Sequence, residues 1–267
     1  MGADTDSTAV ARPLPMEGAP ARGPSVVIED LELTYRIYED VKPTLRKLVA
    51  QRFRPRAFRA VEAVRGVSLT AQPGEAVGIL GRNGSGKSTM LKCLAGLLPP
   101  TGGRVYARST PVLLGVGAAL QQELSGRRNI FLGGTALGIP RKELERRYGE
   151  IVEFAGLGGF IDMPMRAYSS GMKARLHFAI ASTVTPDVLL IDEALAVGDA
   201  EFKHKSQERI VQLLGEAGTV FIVSHALGII RDVCSRAIWL DQGLIVMDGP
   251  TEDVAKAYED EVKRTQS

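Results

Sequence analysis

The segment Gly81-Arg82-Asn83-Gly84-Ser85-Gly86-Lys87-Ser88-Thr89 constrains this chain more than any other feature. It fits the pattern G-x-x-x-x-G-K-[ST] and lies between a short apolar run, Ala76–Leu80, and the helical stretch TMLKCLAGLL. A strand before and a helix after are the context in which that pattern cradles phosphate. Gly81, Gly84 and Gly86 let the backbone curl until its N–H groups converge on phosphate oxygens. Lys87 sets a point charge between the β- and γ-phosphates, and Ser88 offers its hydroxyl to Mg²⁺. The helix adds the positive end of its dipole. Residues 81–89 therefore read as a nucleotide-binding segment, and strand–loop–helix order points to an α/β fold.

Composition removes several other classes. With 45% hydrophobic and 24% charged residues and a net charge of +2, the 267-residue chain is neither mostly disordered nor a polycation. No apolar run approaches the ~20 residues that span a bilayer. Cys93 and Cys234 lie too far apart for a disulfide framework or a metal knuckle, which favours a reducing compartment. Residues 1–25, rich in Ala, Pro, Gly and Ser, have no apolar core of a secretory signal and read as a flexible tail.

From Val26 onward short strands appear: VVIEDLELTY, VRGVSLTAQPGE and AVGIL. Two short strands are expected over 101–116, then helices from about 124 to 183. There Leu144, Tyr148, Ile151, Val152 and Ala155 recur at helical spacing, and Gly171–Thr183 reads as a further helix. Strands return at VLLID and TVFIVS, a hairpin is expected around Asp241-Gln242-Gly243, and a last helix over 252–264 with Thr251 as N-cap.

VLLIDE, 188–193, is an apolar strand that ends in two acids. Such a strand delivers Asp192 to the sheet's C-terminal edge, where it can hold Mg²⁺ through water. Glu193 is placed to orient or deprotonate an attacking water. Two acids after a strand are commonplace alone; the phosphate loop about a hundred residues earlier gives them this role. His225, after TVFIVS, is a candidate for sensing the γ-phosphate. In AYSSGMKARL a loop gives way to a helix that Ser169 and Ser170 can cap, while Gly171 permits close approach of the backbone. Hydroxyls and free N–H groups at a helix start also make an anion site, so this segment is either a plain capped helix or a second phosphate-binding feature.

Taken in order, these segments resemble those of an ABC-type ATPase subunit over about residues 26–250. GRNGSGKST is similar to the family's Walker A, VLLIDE to Walker B with its glutamate, SSGM to the LSGGQ signature, VGD (197–199) to the D-loop, and Ser224-His225 to the switch histidine. The resemblance implies a P-loop ATPase core with an antiparallel β subdomain and a helical subdomain (about 118–183), followed by a C-terminal helix (251–267). It implies ATP and Mg²⁺ as ligands and Tyr35 as the aromatic that stacks on adenine, with Tyr38 as a competitor. It also implies head-to-tail pairing with a second copy. Tyr168, Ser169, Ser170, Gly171 and Met172 of one copy would then face the nucleotide held by Lys87 of the other, with Gly198 and Asp199 as D-loop.

Departures from the family pattern narrow it. Ser170 and Met172 replace the usual glycine and glutamine, and Gln121 and Gln122 come late for a Q-loop that follows PVLLGVGAAL. With the insert after TYRIY, these look like ATPases of polysaccharide exporters, which move teichoic acid, O-antigen or actinobacterial galactan on a lipid carrier. That resemblance implies a peripheral protein on the cytoplasmic side of the membrane, driving two copies of a permease subunit. A C-terminal carbohydrate-binding domain is expected to be absent. The runner-up readings are the ATPase of an importer or of a drug or lipid exporter, and a soluble mechanical ATPase.

The insert, about 38–60, is basic. Between Arg36 and Arg65 there are nine Arg/Lys and three Asp/Glu, 9 − 3 = +6, so the remainder sums to 2 − 6 = −4. Leu45, Leu48, Val49 and Phe53 form an apolar stripe on a short basic helix. It suits anionic headgroups or a partner equally with its own domain. Nucleic acid is disfavoured because interleaved aromatics are absent.

Overall fold

The computed structural model describes residues 23–38, 58–114, 120–192, 200–224 and 226–266. A three-stranded antiparallel sheet comes first, ordered β2-β1-β4, from β1 (Val26–Tyr38), β2 (Phe58–Ala71) and β4 (Gly102–Ala107). The second sheet has β3 (Ala76–Leu80), β5 (Val112–Leu113), β6 (Val188–Ile191), β7 (Thr219–Val223), β8 (Arg236–Asp241) and β9 (Leu244–Pro250). Its order is β5-β6-β7-β3-β8-β9, parallel throughout except for antiparallel β9.

The apolar runs of β3, β6 and β7 are explained by this position. Val188–Ile191 and Thr219–Val223 are buried along their whole length, as are Val77–Leu80, because both sheet faces are covered. One face packs against the antiparallel sheet and α1 (Lys87–Leu94), where Ile28, Leu31, Met90, Leu91 and Phe221 meet. The opposite face carries Leu189, Val220 and Ile222 against α5 (Ala200–Glu216), α6 (Leu227–Val233) and α7 (Thr251–Gln266).

A third cluster belongs to the helices α2 (Gly126–Ala136), α3 (Arg141–Ala155) and α4 (Ser170–Ala181), with two 3₁₀ turns between the last two. The spacing of Leu144, Tyr148, Ile151, Val152 and Ala155 faces this core. Helices α2 and α3 approach closely at Gly134, where a Cβ would collide with the Leu144 side chain. The fold is thus the expected α/β core with an antiparallel sheet and a helical part.

Several expectations shift in detail. The second of the two short strands expected over 101–116 is two residues long, Val112–Leu113, among the described residues. The helix expected to reach Thr183 ends at Ala181, where the Ser182 and Thr183 hydroxyls donate to the Ala179 carbonyl. The last helix spans Thr251–Gln266, and the Thr251 hydroxyl donates to the Cys234 carbonyl at 2.6 Å. The end of the insert, from Phe58, is strand: Tyr38 pairs with Phe58 and Tyr35 with Val61 in a long ribbon. The apolar stripe Leu45–Phe53 lies outside the described residues. Cys93 and Cys234 are buried free thiols, their pKa values pushed up by burial to about 11 and about 12. Among the described residues, no helix is long and apolar enough to cross a membrane.

Candidate nucleotide site

The phosphate loop leaves the C-terminal end of β3, which sits between β7 and β8. In an open parallel sheet, ligands bind in the crevice outside the carboxyl ends of the strands. Residues 81–86 form the loop, and Gly86 caps α1 with φ of 104°. That left-handed value excludes an ordinary side chain, and a Cβ at Gly86 would also strike the Ala63 carbonyl of β2. Arg82, Asn83 and Gly84 are exposed at the rim, while Ser85 is buried.

Lys87 is only 7% exposed, and its Nζ donates to the carbonyls of Gly81 at 2.7 Å and Arg82 at 2.8 Å. The ammonium is therefore held within the loop by the loop's own acceptors. Next on the helix, the Ser88 hydroxyl donates to Asp192 Oδ1 at 3.1 Å. Asp192 follows β6, is 7% exposed, and closes the site from the neighbouring part of the sheet. A hydroxyl beside a carboxylate, both oxygen donors, fits a hard cation such as Mg²⁺.

Tyr35 lies on β1, 38% exposed, with its hydroxyl 3.4 Å from Thr89 Oγ1 on the first turn of α1. The antiparallel sheet thereby presents an aromatic ring beside the phosphate loop. Tyr38 ends the same strand.

The signature segment starts α4. Ser169 is the N-cap and its Oγ accepts from the Met172 N–H at 3.1 Å, whereas Ser170 is the first helical residue and does not cap. Among the described residues, a Cβ at Gly171 would meet nothing nearer than Ser169 Oγ at 3.8 Å. Tyr168 is 5% exposed, and its hydroxyl donates to the Phe160 carbonyl at 2.7 Å. Its ring is a strut beneath the helix start, set against Gly126 and Ile161. Glu193, Gly198, Asp199 and His225 lie outside the described residues.

Sequence reading passed over Asn129. It is fully buried, its Oδ1 accepts from the Gln121 N–H, and its Nδ2 donates to the carbonyls of Gln121, Leu124 and Ser125. It folds the turn that carries Gln121 and Gln122. The only local signal was an Asn four residues after the Ser125 N-cap.

The profile of the family described as ABC transporter matches residues 64–196, which include the phosphate loop, the signature and Asp192. The chain is 38% identical over 245 residues to the O-antigen export system ATP-binding protein RfbB of Myxococcus xanthus, over 89% of this chain and 56% of that protein. It is 38% identical to the protein of the same name from Klebsiella pneumoniae, over 88% of this chain and 97% of the relative. It is 37% identical to the teichoic acids export ATP-binding protein TagH of Staphylococcus epidermidis, over 88% of each. The chain thus spans little more than half of the Myxococcus relative and most of the other two.

Among solved structures, an ATP-binding subunit of an ABC transporter superposes with a TM-score of 0.64 at 22% identity, over 88% of this chain and 93% of that one. A dimeric, post-hydrolysis ATP-binding cassette bound to ADP and Pi gives 0.62 at 22% identity, over 85% and 98%. With the matched profile, the near full-length relatives and the phosphate loop facing Asp192, the chain belongs to the ABC transporter family, among its ATP-binding proteins.

Proposed function

We propose that this chain is the ATP-hydrolysing subunit of an exporter that moves a lipid-linked polysaccharide across the cytoplasmic membrane. The observation that carries the ATPase reading is the pairing of Ser88 on α1 with Asp192 after β6, beside the folded-back Lys87. The export reading draws on the names of the relatives, which concern O-antigen and teichoic acid.

In this reading the backbone N–H groups of residues 81–86 and Lys87 bind the β- and γ-phosphates, and Tyr35 covers the base. Ser88 and Asp192 are the residues that would hold Mg²⁺, which supplies charge neutralisation on the phosphates when bound. Glu193 orients the attacking water and His225 contacts the γ-phosphate.

Two copies pair head-to-tail, each offering Ser169–Met172 to the nucleotide of the other. The unused space at Gly171 supports that reading, since no contact among the described residues calls for a missing side chain there. Two copies of a permease subunit carry the glycan, and the ATPase sits on them from the cytoplasmic side.

The test is Glu193→Gln. The variant should bind Mg–ATP, hydrolyse it about 10²- to 10⁴-fold more slowly and accumulate as a dimer on size exclusion. Full activity would remove Glu193 from the mechanism. Export is tested by co-purification with a permease, followed by ATPase assays with lipid-linked glycans; no stimulation by any glycan would count against that part.

A further inference from the structure

The turn between β8 and β9 holds the phosphate loop from behind. Gln242 and Gly243 both take left-handed conformations, with φ of 45° and 80°. The Gly243 N–H donates to the Ser85 carbonyl at 3.0 Å, and the Gly243 carbonyl accepts from the Arg65 N–H at 2.9 Å. One residue thus joins β2 of the antiparallel sheet to the phosphate loop. The fit around it is tight. A Cβ at Gly243 would lie 3.0 Å from the Ala63 carbonyl oxygen and 3.1 Å from Arg65 Cγ. The same Ala63 carbonyl crowds Gly86, and the Leu240 carbonyl at the end of β8 crowds Gly81.

Peptide geometry gives this contact a consequence for ligand binding. The Ser85 carbonyl and the Gly86 N–H belong to one planar trans peptide and point in opposite directions. Fastening the carbonyl to Gly243 therefore turns the Gly86 N–H away from the turn. We infer that Gly243 is a positioning residue for the nucleotide: its N–H fixes the Ser85–Gly86 peptide so that the Gly86 N–H stays aimed at the phosphates. Gly243 touches no substrate itself. It acts through Ser85, and its second hydrogen bond makes β2, the strand that carries the end of the basic insert, part of the same support.

The inference rests on the phosphate-loop reading of residues 81–89, and the experiment separates the two. Mg–ADP affinity is measured by titration calorimetry on the full chain, with the thermal midpoint of each variant recorded. Gly243→Ala crowds the turn, and Gly249→Ala, in open space on β9, is the control. A third protein is the full chain made by ligation at Cys234 with an ester in place of the Gln242–Gly243 amide. The ester deletes the donor while leaving the side chains unchanged.

We expect the ester protein to bind Mg–ADP about three- to ten-fold more weakly than wild type at temperatures where both are fully folded. Gly243→Ala should also bind more weakly, and Gly249→Ala should match wild type. A lower midpoint with unchanged affinity in the ester protein would make the contact merely structural and overturn the inference. A wild-type chain that binds no Mg–ADP would instead overturn the phosphate-loop reading, and this inference with it.

Discussion

The Ser88 hydroxyl donates to Asp192 Oδ1 at 3.1 Å, across 104 positions of sequence. The two residues reach each other because β6 and β3 are parallel, with β7 between them, and end at the same edge of the sheet. A hydroxyl and a carboxylate converge there beside a buried ammonium. Asp192→Asn keeps the shape and removes the charge. We expect Mg²⁺ affinity of the nucleotide complex to fall about 10- to 100-fold, with nucleotide binding in EDTA nearly unchanged. Titration of phosphate release against Mg²⁺ checks it.

Tyr35 stands half-exposed beside Thr89, so its ring is available to a base. Tyr35→Ala should weaken ATP binding by about 1–3 kcal/mol, the usual worth of one stacked base, while Tyr35→Phe should bind nearly as wild type. Calorimetric titration with ATP and GTP separates stacking from recognition of the base edge, since stacking alone weakens both alike.

His177 on α4 has a buried Nδ1 without a hydrogen-bond partner among the described residues, and burial holds its pKa below the ordinary value. In the unfolded chain the imidazole protonates below about pH 6.5. The unfolded state then binds the extra proton first, so stability falls as pH drops from that value towards the lower folded pKa. His177→Gln should flatten that part of the curve in urea melts at pH 5.0–7.5.

Arg236 ties four segments together. Its guanidinium donates to the Thr70 carbonyl of β2, to Glu75 before β3 and bidentately to Asp248 of β9. These carboxylates, with Asp248 first, hold its pKa above the ordinary value. Arg236→Met should cost roughly 2 kcal/mol in chemical denaturation, less than for a wholly buried pair because the side chain is partly solvated. ATPase activity per folded molecule should change little.

Much of this was legible in the sequence where neighbouring residues share a task. The phosphate loop, the apolar run before it and the Ser169 cap are each complete within a few positions, so residue type and order suffice to read them. The same holds for the helical stripe from Leu144 to Ala155, whose spacing reflects its single buried face. The burial of Tyr168 beside the signature is not legible in one dimension. Only packing shows its hydroxyl bound to Phe160.

The sequence by itself determined that the chain binds nucleotide on a strand–loop–helix unit, because backbone curvature, charge and dipole at that unit are set by consecutive residues. The tertiary structure alone decided which distant groups meet around that unit: Asp192 against Ser88, Tyr35 against Thr89, and the Gly243 N–H against the Ser85 carbonyl. Those pairings depend on strand order and on the left-handed turn at Gln242-Gly243. The first and third arise because strands of one sheet end at one edge, and the second because the antiparallel sheet packs beside α1, relations that chain order does not encode.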